Sequence, residues 1–145
     1  MRVSVAATPS VALPTLDWLI TSPHELVSVI TRPDKPAGRG QKILESPVAT
    51  WATQHGIACH KPESTDEIAI LLEDIEVLIT IGFGVILPKR LLQIPQKGCI
   101  NLHFSLLPRW RGAAPVQRSI EAGDLVTGVC VFQLDEGMDT GPMYI

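Results

Sequence analysis

Residues 75–81 read IEVLITI and stop abruptly at Gly82-Phe83-Gly84. Apart from Glu76 the run is apolar or β-branched on both faces that a strand would present. A half-covered strand alternates oily and wet positions, whereas a run without alternation suits the middle of a parallel sheet covered on both sides. The flanking segments agree. Residues 1–8 form a strand-like run ended by Pro9, and Ala12, Leu16, Leu19 and Ile20 recur at helical spacing within 11–21. Residues 25–31 are rich in β-branched side chains and form the next strand. Residues 32–46, RPDKPAGRGQKILES, carry Pro33, Pro36, Gly38 and Gly40 and read as a long loop, because proline lacks an amide donor and glycine weakens regular structure.

Pro47 suits the first turn of a helix that continues through 48–55 and ends at Gly56. A short strand at 57–60 follows. Ser64 or Thr65 caps a helix whose inner face is Ile68, Leu71 and Leu72. Beyond the central run come a short helix at 88–93, a strand at 98–104, a helix at 116–122, a turn at Gly123-Asp124 and a covered strand at 127–134. Met143-Tyr144-Ile145 begins another. Strands alternating with helices at this spacing predict an α/β domain with an open, doubly wound, mostly parallel sheet and helices on both faces.

The 145 residues are 46% hydrophobic and 19% charged, with a formal net charge of −3. That composition predicts one folded domain and excludes a disordered chain. No apolar run approaches the ~20 residues of a membrane helix, and the first five residues lead straight into a strand, unlike a signal peptide. A cytoplasmic location without a membrane partner is expected. Cys59, Cys99 and Cys130 are an odd set without metal-ligand spacing, and His24, His55, His60 and His103 are scattered, so buried thiols and no metal site are expected. The first turn, AATPS, lacks a GxGxxG and no GxxxxGK[ST] occurs, which removes the main signals for dinucleotide and nucleoside-triphosphate folds. Charge is uneven. Residues 63–76 hold Glu63, Asp66, Glu67, Glu73, Asp74 and Glu76 with no base, whereas Arg32, Lys35, Arg39 and Lys42 face only Asp34, and Arg109, Arg111 and Arg118 face no acid. Two local basic clusters on an acidic chain suit a polyanionic partner met at one face; a merely solvated charge pattern is the alternative.

The strand at 98–104 carries the chemistry. Alternation puts Ile100, Leu102, Phe104 and Leu106 on one face and Asn101, His103 and Ser105 on the other. Ligands of open α/β sheets bind beyond the carboxyl ends of the strands, and an amide, an imidazole and a hydroxyl there can polarise a carbonyl and move protons. The alternative is a set of satisfied structural groups at a strand end. The following stretch DEGMDTGP, residues 135–142, offers Asp135, Glu136 and Asp139 near the same rim. Asp139 sits between two tight turns, but Asp135 remains an equal candidate to pair with His103 from the residues alone.

NLHFSLLPRWRGAAPVQRSI, DEGMDTGP and TRPDKPAGRG together resemble the methionyl-tRNA formyltransferase family, over the whole chain from Thr8-Pro9 to Pro142. The Asn-x-His and Ser-Leu-Leu-Pro elements are shared by a wider group of 10-formyltetrahydrofolate enzymes; the two basic stretches are more specific. The resemblance implies a Rossmann-like formyltransferase fold and formyl transfer from 10-formyltetrahydrofolate to the α-amine of methionyl-initiator tRNA in translation initiation, without a metal. It implies a catalytic set of Asn101, His103 and Asp139, a folate border at Ser105, Leu106, Leu107 and Pro108, and tRNA contacts from Arg32, Lys35, Arg39 and Lys42, to which Arg109 and Arg111 are added by their place beside the turn. Trp110 is expected to anchor that turn, and Leu107-Pro108 to be cis. Residues 1–145 are expected to be an incomplete catalytic domain without the family's C-terminal β-barrel, and to act as a monomer. Ala7 departs from the glycine usual in the family. The rival readings are a folate-dependent formyltransferase or hydrolase acting on a small amine or water, and a non-catalytic remnant.

Overall fold

The computed structural model describes residues 1–37 and 42–145. In chain order the strands and helices are β1 (Arg2–Ala7), α1 (Leu13–Thr21), β2 (Glu25–Ile30), β3 (Lys35–Ala37), β4 (Lys42–Leu44), α2 (Pro47–His55), β5 (Ala58–His60), α3 (Thr65–Leu72), β6 (Val77–Ile81), α4 (Lys89–Leu92), β7 (Cys99–His103), α5 (Pro115–Glu121) and β8 (Cys130–Gln133). Six strands form one sheet in the order β5-β2-β1-β6-β7-β8. All neighbours are parallel except β7 and β8, which run antiparallel. The chain builds outward from β1 in one direction and then returns to build from β6 in the other. The strand order therefore reverses between β1 and β6, and sheets of this kind place their ligands beyond the carboxyl ends of the strands near such a reversal.

Two apolar cores cover the two sheet faces. One joins Val3, Val5, Ala7 and Ile81 to Leu16 and Leu19 of α1 and Val48, Trp51 and Ala52 of α2. The other joins Ala6, Leu78 and Cys99 to Ile68 and Leu72 of α3 and Leu91 and Leu92 of α4. Each fully buried Val, Leu, Ile or Phe contributes about 1.5–3 kcal/mol, so the central run at 75–81 needs both layers. Helix starts are fixed by side chains. The Ser46 hydroxyl accepts from the Ala49 amide at 3.0 Å and also meets the Thr31 hydroxyl at 2.7 Å. Of the two candidates for α3, Ser64 is the cap: it accepts from the Glu67 amide, and Glu67 returns to the Glu63 amide.

Three expectations change. Residues 32–46 are not only loop, because β3 and β4 form an antiparallel pair in which Pro36 faces Ile43; proline is tolerated in such an isolated ribbon because no central ladder needs its amide. Ile20 is exposed rather than packed, so the inner face of α1 is narrower than its spacing suggested. The last strand is shorter than 127–134 and runs antiparallel. Beyond it the chain doubles back along β8, with the Gln133 amide donating to the Pro142 carbonyl at 2.9 Å and Tyr144 to Val131 at 2.8 Å. No helix among the described residues is long and apolar enough to cross a membrane.

Candidate active site

β7 carries Asn101 and His103 on the face that holds Cys99, while Leu102 and Phe104 pack against the opposite core. At the carboxyl ends of β6 and β7 a cavity of about 670 Å³ opens. Its polar wall comprises Thr80, Asn101, His103 and Asp139, and its apolar wall includes Phe83, Ile86, Leu87, Leu92 and Phe104.

Thr80 lies opposite Asn101 in the β6–β7 register. Its hydroxyl donates to Asn101 Oδ1 at 2.7 Å and lies 3.2 Å from the Ile100 carbonyl. With the amide oxygen engaged there, the NH2 end is left for the cavity. His103 is 6% exposed. Its Nε2 lies 2.9 Å from the Trp110 carbonyl, and because a carbonyl only accepts, Nε2 carries the hydrogen. Nδ1 faces Asp139 Oδ2 at 3.7 Å. That is too long for a hydrogen bond, and it leaves the carboxylate beside the free ring nitrogen.

The return of the chain along β8 sorts the carboxylates. Asp135 accepts from the Gly137 amide at 2.9 Å and from the Thr140 hydroxyl at 2.8 Å, so it ties its own turn. Asp139, in a left-handed conformation with φ 53°, points the other way and accepts from the Gly112 amide at 2.7 Å. A Cβ at Gly141 would collide with the Gln133 carbonyl, so a glycine is required where the loop closes.

The turn between β7 and α5 is held in an unusual shape. Leu107-Pro108 is cis, and Trp110 and Ala114 have φ of 61° and 59°, each costing about 1–3 kcal/mol that the surroundings offset. Ser105, fully buried, donates to the Arg109 carbonyl at 2.6 Å. Asp124, just past α5, accepts from Arg109 Nε at 3.0 Å, Arg109 Nη2 at 2.7 Å and Trp110 Nε1 at 2.6 Å. The guanidinium also stacks 4.4 Å from the Trp110 ring centroid. Arg109 first and Trp110 second hold the Asp124 carboxyl below its ordinary range, and Asp124 raises that of Arg109.

Of the residues singled out in the sequence, Asn101, His103 and Asp139 come together at one cavity. Ser105, Leu106, Leu107 and Pro108 do not line it: Ser105 is turned into its own loop, and Leu106 borders a separate cleft of about 170 Å³ with Trp110 and Leu125. Arg109 is committed to Asp124, while Arg111 is exposed. Arg32 and Lys35 are exposed, and a Cβ at Gly84 would lie 3.5 Å from Arg32 Nη1, which puts Arg32 beside the cavity rim. Lys42 stands in β4, and Arg39 lies outside the described residues. Lys61 joins both ends of the segment around β3 and β4, meeting Asp34 at 2.7 Å and Glu45 at 3.1 Å. Thr80, Asp124 and the apolar rim after β6 escaped sequence reasoning; Gly82-Phe83-Gly84, a break after a central strand, was the signal for the rim. Among the described residues no group of three or more His, Cys, Asp or Glu could hold a metal ion. Cys99 and Cys130 are buried and Cys59 half-buried, and burial pushes the Cys99 thiol up to about 12.

Fold and site define a group-transfer domain of the formyl transferase class. The chain belongs to the formyl transferase family, whose model matches residues 1–145. It is 51% identical over 149 residues to methionyl-tRNA formyltransferase of Legionella pneumophila (strain Paris), covering 99% of this chain and 47% of that protein. It is 50% identical over 150 residues to the protein of that name from Salinispora tropica, covering 99% and 48%. The chain thus spans about half the length of these curated relatives. Among solved structures it resembles phosphoribosylglycinamide formyltransferase from Bacillus Halodurans, with TM-score 0.79 and 26% identity over 100% of this chain and 77% of that one. The enzyme of that name from Anaplasma phagocytophilum gives TM-score 0.82 at 23% identity, over 99% and 69%, and shows the fold alone.

Proposed function

We propose that residues 1–145 form the catalytic part of an enzyme that transfers a formyl group from 10-formyltetrahydrofolate to the α-amine of methionyl-initiator tRNA. The observation that carries this reading is the convergence of Asn101, His103 and Asp139 at the polar wall of a cavity whose remaining wall is apolar. The names of relatives at about 50% identity support the choice of acceptor. A volume of about 670 Å³ with aromatic and aliphatic walls fits a flat heterocyclic donor, and Phe83, Ile86, Leu87 and Phe104 would hold it. That donor supplies an electrophilic formyl carbon. Ser105 to Pro108 serve it indirectly, by holding the turn beside the cavity.

The chain's own residues account for the rest. Asn101 presents its NH2 to the formyl oxygen, where negative charge grows as the amine attacks. His103, with Nε2 fixed on the Trp110 carbonyl, offers Nδ1–H as a second donor when protonated. Asp139 stabilises that cation, takes up the amine proton directly or through water, and helps to deliver one to the folate nitrogen as the bond from that nitrogen to the formyl carbon breaks. Removing one such donor costs about 100- to 1,000-fold in turnover. Arg32, Lys35, Arg39, Lys42 and Arg111 meet the tRNA backbone, and such contacts weaken as salt rises. Arg109 contributes through the turn it holds. The protein is expected to work as a cytoplasmic monomer.

Asn101→Ala, His103→Ala and Asp139→Ala, each introduced into the full-length protein, test the reading by transfer of labelled formyl to methionyl-tRNA. Each is expected to lose at least about 100-fold in turnover with an unchanged circular dichroism spectrum. Turnover within threefold of wild type in any one would remove that residue from the mechanism.

A further inference from the structure

We infer that Asp124 is a positioning residue for the reaction: it clamps the β7–α5 turn so that the Trp110 carbonyl holds His103 in its working tautomer. The inference rests on the proposed role of His103. Asp124 lies outside the main cavity, yet its two oxygens accept three hydrogen bonds of 2.6–3.0 Å, two from Arg109 and one from Trp110. Both residues also engage buried side chains through their carbonyls. The Arg109 carbonyl accepts from the buried Ser105 hydroxyl, and the Trp110 carbonyl accepts from His103 Nε2. Trp110 itself has φ 61°, a conformation that a tryptophan adopts only when its surroundings impose it. Asp124 grips the side chain at that residue, and the backbone consequently presents its carbonyl to the imidazole.

Direction follows from hydrogen-bond chemistry. With the Trp110 carbonyl in place, Nε2 must carry its hydrogen and Nδ1 is the nitrogen left for Asp139 and the cavity. Without the clamp the strained residue relaxes, the carbonyl withdraws, and the ring is free to exchange tautomers. Asp124 contacts no reacting atom. Its neighbours Arg109 and Trp110 transmit its effect, and Asp139 approaches the same ring from the β8 side.

The test reads His103 directly by nitrogen-edited NMR of the full-length protein, alongside steady-state kinetics. Wild type is expected to show a slowly exchanging Nε2–H. Asp124→Ala should lose that signal and lower kcat about 10- to 100-fold, with the Michaelis constant for folate within twofold. Trp110→Phe removes only the indole donor and should give an intermediate loss while keeping the ring packed. Asp66→Ala, which breaks the exposed Arg90 ion pair, should change neither reading. An unaltered Nε2–H in folded Asp124→Ala or, should that variant not fold, in Trp110→Phe overturns the inference. So does a lost signal with unchanged kcat. A wild type that shows the protected Nε2–H but transfers no formyl group contradicts the proposed function instead, and the clamp stands on the NMR alone.

Discussion

The side-chain amide of Asn101 can turn either its oxygen or its NH2 toward the cavity, and only the NH2 can stabilise a developing oxyanion. Thr80 decides between them, because its single hydroxyl proton is directed to Oδ1 at 2.7 Å. Valine has the same shape without the hydroxyl. Thr80→Val is therefore expected to cost about 1–3 kcal/mol of stability for the unpaired Oδ1, with kcat down about tenfold, while Thr80→Ser stays near wild type. Stopped kinetics alone would not establish the point, but recovery by serine does, since a packing defect would be worsened by the smaller side chain. Equal activity of the valine variant would contradict the role. At this scale the sequence was readable in part. Alternation along β7 placed Asn101 and His103 on one face because strand periodicity is local. The choice between Asp135 and Asp139 was not local: it depends on whether each carboxylate is consumed by its own turn, as Asp135 is by Gly137 and Thr140.

Elements fix what the residues can reach. The segment around β3 and β4 hangs between Thr31, at the end of β2, and Ser46, which caps α2, and the two hydroxyls meet at 2.7 Å. One serine thus satisfies a helix start and closes the base of the basic segment. Ser46→Ala is expected to cost about 1 kcal/mol of stability, measured by urea denaturation, and a cost below a few tenths would mean that the cap is replaced by water. Lys61 strengthens the same base, its ammonium raised above the ordinary range chiefly by Asp34. Helix starts and the central strand were legible because their signals sit within a few residues. The β3–β4 pair was hidden by Pro36, which argues against a strand in a sheet but not in an isolated ribbon. The direction of β8 was hidden as well, since a covered strand has the same composition whichever way it runs.

Across the whole molecule, two apolar layers carry the sheet, and the polar residues of the site gather at the carboxyl ends of β6 and β7, one strand beyond the reversal between β1 and β6. The basic residues are distributed in a way that the net charge of −3 conceals: Arg32 is exposed beside the cavity rim, Lys35 is exposed in β3, and Arg111 is exposed on the turn after β7. A small-amine acceptor would have no use for that distribution, whereas a nucleic acid carrying the reactive amine at its end would meet both the cations and the cavity. Arg109 is the instructive exception. Read in sequence it belongs with the other cations, but Asp124 neutralises it, and only the fold brings the two together. The most direct measurement compares acceptors in one assay of 10-formyltetrahydrofolate consumption by the full-length protein: methionyl-initiator tRNA, free methionine amide, and no acceptor. The account predicts consumption with the tRNA at least about 1,000-fold faster in kcat/KM than with the amide, a difference of ~4 kcal/mol in transition-state binding, and background without acceptor. Equal rates with the small amine, or consumption that needs no acceptor, would contradict it.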